Sequence, residues 1–206
     1  PKHAHLRPDE LDALVSEATA ADRFVMAHAQ GTQGIKNAIT AGIRSIEHGI
    51  YLDDEAIEMM LAAGTYLVPT LMAPLGVLDQ VERGLELPEK VIRIATSVAE
   101  THRDSVERAI AAGVKVAMGT DTGVTPHGEN LQELAEMAKL GMSDDQVLRS
   151  STSVAADLLG VSNELGTVEV GKIADLVVWE GESLDVSDMR SRVSAVIQDG
   201  SVVVSH

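Results

Sequence analysis

Three separate apolar segments each carry, near their carboxyl end, a side chain that can bind a metal ion. VMAHAQ contains His28, SIEHGI contains His48, and VAMGTD ends in Asp121. Imidazole nitrogens are preferred ligands of Zn²⁺, and a carboxylate can both bind a metal and accept a proton. Taken singly, each histidine could instead be a hydrogen-bonded structural residue, and Asp121 could cap a turn. All three lie at equivalent positions, near the carboxyl ends of apolar segments, so a shared metal site is the alternative interpretation.

Periodic segments around these positions predict the elements that must hold them. Predicted helices cover residues 8–22, 32–41, 53–63, 88–112, 129–140 and a stretch that begins at 143. Predicted strands cover residues 23–29, 43–49, 65–70 and 114–121, and a loop is expected over 70–86. Strands and helices that alternate in this way are typical of a parallel sheet covered by helices. Functional groups gather at the carboxyl ends of such strands, which lie about 5 Å apart, so side chains from several strands can converge on one ion.

The pattern changes after Gly160. The stretches GTVEVGKIADLVVWEG and VSAVIQDGSVVVSH are rich in valine and lack a clear helical period, and the DG pair in the second predicts a hairpin. We therefore divide the chain into an α/β part, residues 1–160, and a small β part, residues 161–206.

The composition restricts the classes of partner. The net charge of −16 argues against nucleic acid and anionic membranes, because both require a positive protein surface. The chain has no cysteine, which excludes thiolate metal sites and fits a reducing, cytoplasmic location. Only 2% of the residues are aromatic while 45% are hydrophobic, so an aliphatic core is expected.

Several motifs resemble the C-terminal half of the amidohydrolase superfamily, in particular the group of imidazolonepropionase-like enzymes and Xaa-Pro dipeptidases. They are HAQG, IEHG, GTDTGVTPHGENLQELAEMAKLGM and LLGVSNELGTVEVGKIADLVVWEG. The resemblance covers essentially the whole chain. It implies the C-terminal half of a (β/α)8 TIM barrel, about strands five to eight, with part of a small β-sandwich domain. It also implies that His28, His48 and Asp121 are the metal-site residues of the fifth, sixth and eighth barrel strands.

Two features that the family carries elsewhere are not recognisable here. Family members have a His-x-His pair on the first strand, and many have a carboxylated lysine on the fourth. HAH at 3–5 directly precedes a predicted helix instead of following an apolar strand, and Lys2 lies too close to the same helix. A whole barrel takes about 250 residues, so the chain is expected to be a fragment. Its expected partners are the missing N-terminal half and, through an open sheet edge, further copies of itself in a homo-oligomer.

The resemblance implies a metal-dependent hydrolase that cleaves an amide or peptide bond, with a dipeptide or an N-acyl amino acid as substrate. One or two divalent ions, with Zn²⁺ as the expected metal, would activate a water molecule. His28 and His48 would hold the second ion, and Asp121 would take the proton of the water and return it to the leaving nitrogen. Two alternatives remain: a hydrolase or deaminase acting on a cyclic amidine or imidazolone, and a non-catalytic half-barrel that oligomerises.

Three further side chains have both a functional and a structural interpretation. Tyr51 follows His48 by three residues and could reach a substrate, or it could pack within its loop. His127 follows the predicted eighth strand and could contact substrate or cap the next helix. His102 shares a helical face with Val98 and Val106, which predicts a packing role.

Overall fold

The computed structural model describes residues 3–82 and 84–205; Lys2 therefore lies outside the described residues. The helices are α1 Pro8–Ala20, α2 Thr32–Thr40, α3 Asp54–Ala63, α4 Met72–Glu82, α5 Glu89–Ala112, α6 Gln132–Lys139, α7 Asp144–Ser150, α8 Ser153–Leu159 and α9 Met189–Arg192. The strands are β1 Met26–Ala29, β2 Ser45–His48, β3 Tyr66–Val68, β4 Leu176–Trp179, β5 Val193–Gln198 and β6 Ser201–Ser205. No helix in these two ranges is long and apolar enough to cross a membrane.

The first three strands form a parallel sheet in the order β1-β2-β3, with the helices α2 and α3 as crossovers. The predicted fourth strand, residues 114–121, joins this sheet by a single parallel bridge between Leu67 and Val116. The Leu67 N–H donates to the Lys115 carbonyl at 2.9 Å, and the Ala117 N–H donates to the Leu67 carbonyl at 3.0 Å. The predicted α/β class is confirmed, with the last segment extended beside β3 instead of forming a regular strand.

The core between sheet and helices is aliphatic, as the composition predicts. Its largest fully buried side chains include Ile35, Ile46, Met60, Leu67 and Leu134. Each lies on the sheet or on the inner face of a helix. Burial of these faces against each other stabilises the short strands, because strands of three or four residues contribute few hydrogen bonds of their own.

The ends of the helices follow the signals in the sequence. α3 begins after Asp53, whose carboxylate accepts the Ala56 N–H at 2.8 Å, and it ends at Gly64 with φ 69°. α7 begins with a capping box in which Ser143 and Gln146 bind each other's backbone N–H. These local bonds explain why the predicted helix boundaries hold to within a few residues.

The prediction of a loop over 70–86 is wrong, because α4 occupies Met72–Glu82. This helix was not predicted because Pro74 and Gly76 are residues that disfavour a helix. Pro74 lies in the first turn, where its missing N–H costs no helical hydrogen bond. Gly76 is buried against Thr125, and a Cβ built at position 76 would meet the Thr125 Cγ2 at 2.6 Å. The glycine is therefore explained by close packing and not by a break in the helix.

The C-terminal residues form a second, antiparallel sheet in the order β4-β5-β6. β5 and β6 make the predicted hairpin, and its turn residues Asp199 and Gly200 have φ of 47° and 74°. Two positive φ values in a two-residue turn match the twist of a hairpin. The assignment of residues 161–206 to a β-sandwich domain stays a prediction.

Candidate metal centre

His28 and His48 face each other at the carboxyl edge of the parallel sheet. The register pairs Ala29 with His48, so the two histidines leave adjacent strands one residue out of step. The Nδ1 of His28 lies 2.8 Å from the Nε2 of His48, and the ring centroids are 4.5 Å apart with an angle of 72° between the rings. The sequence prediction that these two side chains meet is consistent with this geometry.

The other nitrogen of His48 contacts Thr70, and this contact fixes the tautomer. The Thr70 hydroxyl donates its single proton to the Pro69 carbonyl at 2.6 Å, since that carbonyl can only accept. The Thr70 Oγ1 must then accept from the Nδ1–H of His48, which lies 2.6 Å away. The Nε2 of His48 is left with a lone pair, and that lone pair is directed at His28.

The electrostatics of the site favour a neutral His48. His48 is only 8% exposed, and burial lowers the pKa of its imidazole. The neighbouring His28 lowers this pKa further, whereas the charge of Asp121 acts in the opposite direction. A neutral ring with a lone pair on Nε2 is the form that binds a metal. The donor set of the pair, two imidazole nitrogens without any thiolate, fits a divalent ion such as Zn²⁺.

The backbone of His48 is itself held in an uncommon conformation. Its φ is 74°, in the left-handed region that a non-glycine residue rarely adopts. Its carbonyl accepts a 2.8 Å hydrogen bond from the Nε2 of His102, a residue 1% exposed on α5. Burial lowers the pKa of His102 to about 4, so the ring is neutral at pH 7. The predicted packing role of His102 is therefore incomplete, because a helical pattern indicates burial and not the hydrogen bond.

Asp121 follows the bridged segment and is exposed, with φ 54°. Its carbonyl accepts the Val124 N–H at 3.1 Å, which closes a turn. Asp121 is near enough for its charge to act on His48. Within residues 3–82 and 84–205, however, no three His, Asp or Glu side chains lie close enough together to hold one ion. The structure thus brings the two histidines together and leaves Asp121 beside them.

The two further substrate candidates lie in different surroundings. Tyr51 is half-buried, and its backbone is tied to the β1–α2 connection: its N–H donates to the Gln30 carbonyl at 2.9 Å, and its carbonyl accepts from the Thr32 hydroxyl at 2.6 Å. His127 is exposed in the segment between Asp121 and α6. The contact of either side chain with a substrate stays a prediction.

The HAH segment lies next to the edge strand. His3 and His5 line a cavity of about 270 Å³ together with His28. The sequence interpretation excluded these two histidines as a ligand pair, and they form no three-ligand cluster within the described ranges.

Glu133 is a residue of the site's support that the sequence analysis missed. It is fully buried on α6, where its two carboxylate oxygens accept the N–H groups of Leu71 at 2.7 Å and Met72 at 2.9 Å. Burial raises its pKa to about 7 against the effect of these two bonds. Glu133 thereby holds the chain directly after Thr70. One signal was available: Glu133 shares the helical face of the buried residues Leu134 and Met137.

Comparison with known proteins gives relatives that agree with the resemblance of the sequence motifs. A model of the amidohydrolase family matches residues 2–204. The crystal structure of a Xaa-Pro dipeptidase with bound methionine in its active site superposes with a TM-score of 0.91 at 38% identity, over 100% of this chain and 50% of that one. Ochratoxinase from Aspergillus niger is 33% identical over 187 residues, which are 90% of this chain and 38% of the relative. Imidazolonepropionase from Brucella suis biovar 1 (strain 1330) is 31% identical over 181 residues, or 85% and 40%.

These overlaps have one feature in common. The chain is covered almost entirely, yet it spans only half of the solved dipeptidase chain and about two fifths of the curated relatives. The relationship expected from the sequence motifs is confirmed.

Proposed function

The chain belongs to the amidohydrolase family, and on this premise we propose that it carries metal ligands of a hydrolase that cleaves an amide or peptide bond. Family members are hydrolases that act on C–N bonds, and they generally bind divalent metals. The proposed ligands are His28 and His48, with Asp121 as a further ligand and proton acceptor, and the proposed metal is Zn²⁺.

One observation carries this proposal: two imidazole nitrogens from adjacent strand ends face each other at 2.8 Å. One of them, Nε2 of His48, has its lone pair fixed in that direction by Thr70. The 2.8 Å separation is that of a hydrogen bond in which the Nδ1–H of His28 donates to this lone pair, and a bound ion would replace that proton. A metal-binding role accounts for both the convergence and the tautomer.

An ion bound at this pair would lower the pKa of a water molecule toward 7 and polarise the carbonyl of the substrate. Asp121 is proposed to accept the proton of the attacking water and to deliver it to the leaving nitrogen. Its exposure on the same edge of the sheet supports this role, because a proton carrier must reach the substrate. Tyr51 and His127 are proposed to contact the substrate from the loops above the second strand and after Asp121.

The proposed substrate class is a dipeptide or an N-acyl amino acid. The similarity to a Xaa-Pro dipeptidase supports this choice. The similarity to an imidazolonepropionase favours a second candidate, hydrolysis of a cyclic imidazolone or amidine. In either case we propose that activity requires the complementary N-terminal half of the barrel. Within residues 3–82 and 84–205, β1 has a strand on one side only, which supports pairing with that half or with another copy of the chain.

Metal content tests the ligand assignment. Elemental mass spectrometry of the purified chain is expected to give about one divalent ion per chain, and His28→Ala and His48→Ala are each expected to abolish it. His127→Ala removes an exposed histidine outside the pair and serves as the matched control, which is expected to keep the metal. Metal that survives both substitutions at the pair would refute the assignment.

Turnover tests the reaction class. The chain is assayed alone and with the N-terminal half of the Xaa-Pro dipeptidase as a separate polypeptide, against Xaa-Pro dipeptides, N-acyl amino acids and an imidazolone. Hydrolysis by the combined halves is expected to fall by about 10² to 10⁴ in Asp121→Asn. Full turnover in that variant would remove Asp121 from the reaction.

A further inference from the structure

The loop that follows β2 is held by a ladder of side-chain donors from α5. The Nε2 of His102 donates to the carbonyl of His48, and the hydroxyl of Ser105 donates to the carbonyl of Ile50, both at 2.8 Å. In the same direction Arg108 donates through Nη2 to the carbonyl of Leu52, also at 2.8 Å. The donors are spaced three residues apart on one helical face, and the acceptors are every second residue of the loop.

The residue between the last two acceptors is held from the opposite side. The Tyr51 N–H donates to the carbonyl of Gln30, directly after β1, and the Tyr51 carbonyl accepts from the hydroxyl of Thr32, the first residue of α2. The segment over residues 48–52, which begins at the last residue of β2, therefore has its carbonyls at 48, 50 and 52 bound to α5 and its backbone at 51 bound to Gln30 and Thr32. Such alternation fixes the orientation of each peptide plane in turn.

The hydrogen bond from His102 differs from the other two because the residue it holds, His48, is a proposed metal ligand. His48 has φ 74°, and a left-handed conformation costs a non-glycine residue free energy unless its surroundings hold it. The peptide group held by His102 follows directly after the Cα from which the imidazole of His48 projects. The Gly49 N–H of the same peptide group donates to the Ala29 carbonyl at 3.2 Å, so loss of the His102 bond removes one of the contacts that hold this peptide plane and leaves its buried carbonyl without that donor. The rungs at Ser105 and Arg108 act on residues outside the histidine pair.

We propose that His102 is a positioning residue of the metal centre: its Nε2–H holds the carbonyl of His48 and so directs the Nε2 of His48 at the ion shared with His28. This inference rests on the proposed metal centre. His102 is 1% exposed, and its Nε2 contacts the backbone carbonyl of His48, whereas the two ring nitrogens of His48 contact Thr70 and His28. It acts on the ligand through the backbone.

Matched variants separate positioning from stability. His102→Leu removes the donor, whereas His102→Gln places an amide N–H near the position of the lost Nε2–H. His102→Asn keeps a polar side chain that is too short to reach the carbonyl, and it repeats the loss if the leucine variant does not fold. Ser105→Ala is the control, because it removes the adjacent rung from an equally buried position, 1% exposed, and leaves the His48 carbonyl bound.

Two measurements are made on the full 206-residue chain. The first is the Zn²⁺ dissociation constant, from competition with a chromogenic chelator. The second is the ¹H–¹⁵N long-range spectrum of the histidine rings in the metal-free chain. Urea unfolding of each variant accompanies both, so that a change in affinity can be compared with a change in stability.

The expected result is that His102→Leu and His102→Asn weaken Zn²⁺ binding by about 10- to 100-fold and shift the ring resonances of His48. His102→Gln is expected to restore both, and Ser105→Ala is expected to lower stability without either effect. Native affinity in His102→Leu, or an equal loss in Ser105→Ala, would overturn the inference. If the native chain binds no Zn²⁺ through the histidine pair, the proposed function fails; the metal-free spectra then still decide whether His102 orients His48.

Discussion

The hydroxyl of Thr70 accepts the Nδ1–H of His48 at 2.6 Å, and this single contact decides which nitrogen of His48 faces His28. Thr70 can only accept in this contact because it donates its own proton to the Pro69 carbonyl. The orientation of a proposed metal ligand thus depends on a residue at the end of the neighbouring strand, itself held with φ 52°.

Replacement of Thr70 by valine tests this dependence, because valine has almost the same shape and cannot accept a hydrogen bond. The Nδ1–H of His48 would be left unpaired in a buried site, and metal affinity is expected to fall by about 10- to 100-fold. Thr70→Ser keeps the hydroxyl and is expected to bind as the native chain does. Isothermal titration with Zn²⁺ distinguishes the two, and equal affinities in both variants would contradict the prediction.

Glu133 predicts a pH dependence of stability with a definite sign. Its pKa is about 7 in the folded chain and 4.5 in the unfolded chain, so the folded chain binds the additional proton between these values. Its contribution is therefore greatest below pH 4.5 and is lost as the pH rises to 7, by roughly 3 kcal/mol in total. The unfolding free energy of the native chain minus that of Glu133→Gln, measured in urea, is expected to fall across this range. A constant difference would argue against the raised pKa.

Gly76 predicts a steric coupling to Thr125. A Cβ at position 76 would lie 2.6 Å from the Thr125 Cγ2, too close without movement of one segment. Gly76→Ala is expected to lower the unfolding free energy by about 1 to 3 kcal/mol, although alanine favours helix formation. Thr125→Ser removes the Cγ2 atom, so the double variant is expected to recover most of the loss. Additive effects in this cycle would show that the two residues are not coupled.

At the opposite, amino-terminal edge of the sheet, Arg44 is expected to contribute to the free energy of unfolding through contacts with aromatic rings. Its guanidinium lies 4.7 Å from the ring centroid of Phe24 and 5.9 Å from that of Tyr66, while Lys115 lies 5.0 Å from Tyr66. Arg44→Met is expected to cost about 1 to 2 kcal/mol in unfolding free energy, and Lys115→Met about half as much, because it loses one such contact. Thermal unfolding at low and high salt measures both. A larger loss for Lys115→Met would contradict this order.

The sequence allowed the local elements to be predicted where the residues act on their own neighbours. The caps at Asp53 and Ser143 and the glycine at position 64 work within a few residues, and the helices they bound are present. α4 was not predicted, because the glycine at position 76 is explained by its close packing against Thr125, which lies 49 positions along the chain. A pattern within one segment cannot reveal a contact that another segment imposes.

The same distinction applies to the candidate site. His28 and His48 could be selected from the sequence, because each lies near the carboxyl end of an apolar strand and parallel strands end at one edge. Their supporting residues could not be selected in this way. Thr70, His102 and the backbone contact of Glu133 act across 22, 54 and 62 positions of the chain.

The sequence by itself determined which residues are candidate ligands, the strands that carry His28 and His48 and the aliphatic character of the core, since these depend on residue type and short-range period. Only the tertiary structure decided which nitrogen of His48 is free, how its left-handed backbone is held, and that Asp121 lies beside the pair and not within a three-ligand cluster of the described residues. Which groups reach each other to form hydrogen bonds depends on distances between segments that are far apart in the chain, and such distances are set only when the packed elements meet.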